Sequence, residues 1–117
     1  MRKLTYHKPQ PITREEAESA FASGNSEEID SALVNVALHD PDCRWVQDKC
    51  LGFARSNVAA VRQIAVTCLG HVARIHQKLD LEKVLPVLDG LSHDPEVQVE
   101  DALDDIQMFM KVELRHR

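Results

Sequence analysis

Apolar positions recur three and four residues apart through most of the chain, and short polar breaks separate the segments that carry them. The spacing predicts six helices. Thr13 and Glu16 form a capping box that opens the first, which runs to about Ala22. Ser23-Gly24-Asn25 ends it, and Ser26 caps a second that runs to about His39, with Ile29, Ala32, Leu33 and Val36 on one side. After Asp40-Pro41, Asp42 caps a third to Arg55. The fourth, about 58–77, carries Val58, Val61, Ile64, Ala65, Cys68, Leu69, Val72 and Ile75, a stripe wide enough to predict the most buried helix. Asp80 caps a fifth over 81–92, which Pro86 should bend, and Asp94 caps a sixth over about 95–113.

On a wheel of ~100° per residue the sixth helix divides cleanly. Val99, Ala102, Leu103, Ile106, Phe109 and Met110 share one arc, and Glu96, Glu100, Asp101, Asp104 and Asp105 the opposite side. No strand-length alternation occurs. The chain is expected to be all-α: an extended basic arm over 1–12, then one helical domain over 13–114.

Two breaks repeat one another: His39-Asp40-Pro41-Asp42 and His93-Asp94-Pro95-Glu96. The run Val84-Leu85-Pro86-Val87-Leu88, then Leu91, Asp94-Pro95-Glu96-Val97 and Ala102-Leu103, resembles a HEAT repeat. Val61-Arg62, Ala65 and Leu69-Gly70 look like the second helix of another. The resemblance covers roughly residues 27–110 and implies a short right-handed α-solenoid of about three helical hairpins, pairing helix one with two, three with four and five with six. Gln98 stands where the family usually has Arg, and Asp40 and Asp94 are about one and a half repeats apart. Small acidic HEAT-like proteins of this kind also resemble bacterial immunity proteins that neutralise a cognate toxin.

Composition narrows the partner. Apolar residues make up 44% and aromatics 4%, so the core is aliphatic. Residues 1–14 hold Arg2, Lys3, Lys8 and Arg14 with no acid, whereas 15–113 hold all 19 acids against eight Lys and Arg. An acidic body repels phosphate, which argues against nucleic acid, and it speeds encounter with a basic protein. No stretch reaches membrane-spanning length, and no apolar run follows Met1-Arg2-Lys3. A cytoplasmic protein with reduced Cys43, Cys50 and Cys68 is expected.

Two places could bind a partner. Trp45, the only Trp, falls on the polar side of the third helix with Asp48, Lys49 and Gly52. A large aromatic there is either a contact hot spot or packing against a neighbouring helix or the arm. The row Glu96, Glu100, Asp101, Asp104, Asp105 sets like charges one turn apart, which opposes the helix by a few tenths of ~1 kcal/mol each. It is either a surface for a basic partner or a solvated outer face. Metal chemistry finds little support: Cys43 and Cys50 are seven apart, His71 and His76 are five apart, and no His is followed by Glu, as in iron-binding HEAT-like enzymes. No cofactor or catalytic motif is present, and HEAT-like DNA glycosylases would need a basic concave surface. A non-catalytic module that neutralises a basic toxin is expected, with an adaptor or regulatory subunit as the alternative.

Overall fold

The computed structural model describes residues 11–112. Six helices lie within them: α1 Arg14–Ala22, α2 Ser26–His39, α3 Cys43–Phe53, α4 Ala59–His76, α5 Leu81–Leu91 and α6 Glu100–Met110. The Thr13–Glu16 capping box opens α1 as expected, with both reciprocal hydrogen bonds made. Asp42 caps α3 through the amide of Trp45. Asn25, not Ser26, caps α2, accepting from the Glu28 amide. Residues 1–10 of the expected arm lie outside the described residues. Its last residue, Ile12, is tied down, its amide donating to Asn35 Oδ1 at 3.0 Å.

The largest departure from expectation is the start of α6. Asp94 does not cap it. The helix begins only at Glu100, and Asp94 does other work: its carboxylate receives the Glu96 amide (2.9 Å) and faces Arg62 Nε (3.0 Å). Asp80 likewise gives no side-chain cap to α5; its own amide donates to Gln47 Oε1 at 2.7 Å. In both places an Asp that reads as a cap in one dimension sits where another helix competes for the local hydrogen bonds.

The molecule is only 19 Å across its thinnest dimension, two helix diameters. One layer is the row α2, α4, α6, with α4 central and packed against both neighbours. In the other layer α1 and α3 cover the inner side of this row, joined by the Lys49–Glu18 ion pair (2.9 Å) and by Phe21 against Phe53 (ring centroids 5.3 Å). Beside the end of α3 lies α5. As its wide stripe predicts, α4 supplies the most core residues: Val61, Ala65, Val66, Cys68, Leu69, Val72 and Ala73 are buried. Leu33 from α2, Leu88 from α5 and Ile106 from α6 are also fully buried. Each such side chain contributes about 1.5–3 kcal/mol by leaving water. Cys50 and Cys68 are fully buried free thiols; hydrogen bonding to Cys50, then burial, holds the Cys68 thiol well above its ordinary range.

The close backbone partner of α6 is α4, not α5, so the expected hairpin of helices five and six does not form tightly. Side-chain size accounts for this. Gly70 on α4 faces Ala102 on α6, and two nearly bare positions let the backbones approach. On α5 the buried positions are the larger Val84 and Leu88. A Cβ on Gly70 would stand 2.9 Å from Asp105 Oδ2 and 3.3 Å from Ala102 Cα. Gly52, also helical, has nothing within 4 Å. Gly70→Ala is therefore expected to destabilise the fold by about 1–3 kcal/mol, as overpacking does. Gly52→Ala should hold stability level or raise it, by up to about 1 kcal/mol. Urea midpoints of the two variants check this; equal midpoints would remove the close-approach argument.

Candidate protein-binding surface

The geometry divides the residues singled out in the sequence into four groups. Trp45 is half-buried against the first helix. The Arg14 guanidinium lies 3.9 Å from its ring centroid, Lys49 Nζ 5.9 Å away, and Phe21 6.2 Å ring to ring. Arg14 is held over the indole by Asp40 (3.4 Å) and Asp42 (3.5 Å), and Lys49 by Glu18. Stacking of this kind is worth roughly 0.5–1 kcal/mol per cation at an exposed site. Trp45 thus belongs with Arg14, Glu18 and Phe21, which the sequence reading did not single out. The signal for them was Phe21, on α1, whose ring partners among the described residues are Trp45 and Phe53. Asp48 is exposed, its carboxylate receiving Gln47 Nε2 at 3.4 Å.

Glu96 lies before α6, exposed, within 3.3 Å of Arg62 Nη2. Arg62 also donates to the Ser56 carbonyl (3.0 Å) and to Asp94, so one guanidinium ties the α3–α4 turn to the α5–α6 turn. Beside it Gln63 grips the same segment from both sides: its Oε1 receives the Gln98 amide (2.8 Å) and its Nε2 donates to the Gln98 carbonyl (3.1 Å). Gln98, the departure from the HEAT pattern, takes part through its backbone.

Glu100, Asp101 and Asp104 form the exposed remainder, and among the described residues they make no ion pair. Glu100 and Asp101 occupy the first turn of α6, where acids complement the helix dipole. Their mutual repulsion is therefore partly offset, which the longer expected helix concealed. Asp104 has no such structural role. Asp105 turns inward, half-buried beside Gly70 and close to His71.

His71 Nδ1 lies 2.8 Å from Arg74 Nη2. Burial first, then the Arg74 charge, lower its pKa from the usual 6.5, against a smaller opposing effect of Asp105. Among the described residues no group of three or more His, Cys, Asp or Glu is placed to hold a metal ion, and no helix is long and apolar enough to cross a membrane. Two open clefts among the described residues lie outside the exposed acidic first turn of α6, each with one carboxylate in its lining, Asp80 or Asp94. One of about 570 Å³ is lined by Cys43, Arg44, Gln77, Lys78, Asp80 and Met110, and one of about 540 Å³ by Arg55, Pro86, Val87, Gly90 and Leu91.

The described residues define a small all-α, six-helix fold whose notable features are helix faces. No family model matches the chain, and no curated protein matches it. Among solved structures, a chain of the CDI complex from Cupriavidus taiwanensis matches with a TM-score of 0.78 and 32% identity, over 92% of this chain and 98% of that one. The chain belongs to the family of that CDI-complex chain.

Because folded His71 binds its proton less readily than it does in the unfolded chain, folding expels a proton near and below pH 6.5. This group's contribution to stability is full at higher pH and declines as pH falls through that range. An NMR titration should place His71 below 6.5, lower still in Asp105→Asn, and His71→Gln should remove its share of the pH slope. Titration of His71 at or above 6.5 would contradict this.

Proposed function

We propose that this chain is the immunity protein of a CDI toxin–immunity pair, a non-catalytic cytoplasmic protein that neutralises a basic toxin domain by covering it. The family relation to a chain of a CDI complex carries the proposal. The chain's charge supports it: all 19 acids stand in residues 15–113 against eight cations. A basic toxin meeting such a body associates fast, and once seated is denied its substrate.

The architecture is read as a short HEAT-like solenoid in which α2, α4 and α6 are the second helices of successive repeats. Their packing side by side supports this, as does Arg62 reaching Asp94 in the following turn. Second helices line the concave side of such solenoids, which favours Glu100, Asp101 and Asp104 as docking residues. Trp45, Asp48 and Lys49 are the weaker part of the surface, since Trp45 and Lys49 are engaged with α1.

Co-expression with the domain encoded by the neighbouring reading frame tests the assignment. Growth arrest by that domain alone, relief by this chain, and a 1:1 complex whose association rate falls steeply between about 50 and 500 mM salt are the expected results. A complex indifferent to salt and without effect on growth would favour an adaptor.

A further inference from the structure

Three of the four exposed large apolar side chains of the described residues, Leu38, Ile75 and Met108, stand in the last turns of α2, α4 and α6, the three helices of the row. Their exposures are 38%, 39% and 66%. In α4 and α6 the direction is given by the contacts. Arg62 and Gln63 meet residues 94–98, and Gly70 meets Ala102 and Asp105, so numbers rise together and the helices are parallel. That offset sets Met108 beside Ile75. Because α3 reverses the chain between two short connections while packing on both neighbours, α2 runs with α4. Asp30 of α2 acts on Cys68 of α4, and the same offset sets Leu38 beside Ile75 and His76.

The three apolar side chains therefore share one end of the row. They also share its outer side, because the buried residues of each helix, among them Leu33, Leu69 and Ile106, face the other layer. At the other end the same outer side carries Glu27 on α2 and Glu100, Asp101 and Asp104 on α6, all exposed and all without an ion pair among the described residues.

We propose that this outer side of α2, α4 and α6 is the toxin-contact surface, divided lengthwise into an apolar anchor at the carboxyl ends and an acidic guide at the amino ends. This rests on the immunity assignment above. The occupant is one face of a basic protein domain that presents an apolar side chain beside a cluster of Lys or Arg. Charge complementarity selects it: four carboxylates without counter-charge await cations at the amino ends, while exposed Arg74 and Lys111 at the carboxyl ends turn a partner's cations toward the acidic end. Interfaces commonly combine such parts, with apolar side chains giving up water at the centre and charges at the rim setting the approach. Met108, long and unbranched, can mould itself to what it meets.

Calorimetry and stopped-flow binding to the purified domain from the neighbouring reading frame test the division. Ile75→Asp with Met108→Asp should weaken affinity about 30-fold or more, chiefly by faster dissociation. Asp101→Lys with Asp104→Lys should slow association and flatten its salt dependence, leaving dissociation nearly unchanged. Glu82→Lys with Asp89→Lys, exposed on α5 in the other layer, should bind as the unaltered chain does. Circular dichroism confirms that each variant folds. If the unaltered chain binds and the two row variants bind equally well, or if the α5 variant alone loses affinity, the surface is elsewhere and the immunity assignment stands. If the unaltered chain does not bind, the immunity assignment fails and this surface proposal falls with it.

Discussion

The close parallel approach of α4 and α6 is the constraint on which the structure depends. It exists because Gly70 and Ala102 put almost nothing between the two backbones. It is held in register from one end by Arg62 on Asp94, Glu96 and the Ser56 carbonyl, and by the two-way grip of Gln63 on Gln98. Arg62 and Asp94 are shielded, their side chains 16% and 19% exposed. Removing one partner would leave a poorly solvated charge, which is where such pairs become costly. Without this approach α6 would not complete the row, and neither Ile106 nor the acidic first turn would have its place.

A common device ties connecting segments to the helices. Asn35, Gln47 and Gln63, on α2, α3 and α4, each use a side-chain amide oxygen to receive a backbone N–H from a connecting segment: Ile12, Asp80 and Gln98. Asn35 and Gln47 are buried. A buried amide costs free energy unless bonded, and an unpaired N–H at the start of a segment costs about as much, so each pairing removes two penalties at once. The device fixes where a segment crosses a helix, something apolar packing alone specifies weakly.

Much of this was legible in the chain. The six helices follow from apolar spacing, and the dominance of α4 from its wide stripe, because burial acts residue by residue on a periodic face. The α6 boundary was not legible. Asp94-Pro95 has every local mark of a helix start, yet Arg62, some thirty residues earlier, takes the Asp94 carboxylate and the helix waits until Glu100. The site shows the same limit. Asp104 and Asp105 are equivalent on a wheel drawn as polar and apolar halves, but Gly70 admits one of them to the helix–helix seam and leaves the other in water. Trp45 reads equally as a contact hot spot or as helix packing until α1 brings Arg14 and Phe21 against it. Side-chain partners distant in sequence decided each of these.

Under the proposed function, the same seam links fold to binding. If α6 is carried on α4 by Gly70, then the acidic and apolar ends of the row face a partner together only while that seam is closed. Measuring affinity of the Gly70→Leu chain for the neighbouring-frame domain, with Gly90→Leu on α5 as the reference, tests this most directly. With both variants confirmed as helical, Gly90→Leu should bind normally and Gly70→Leu should lose most of its affinity as α6 is displaced. Full affinity in a folded Gly70→Leu chain would contradict it.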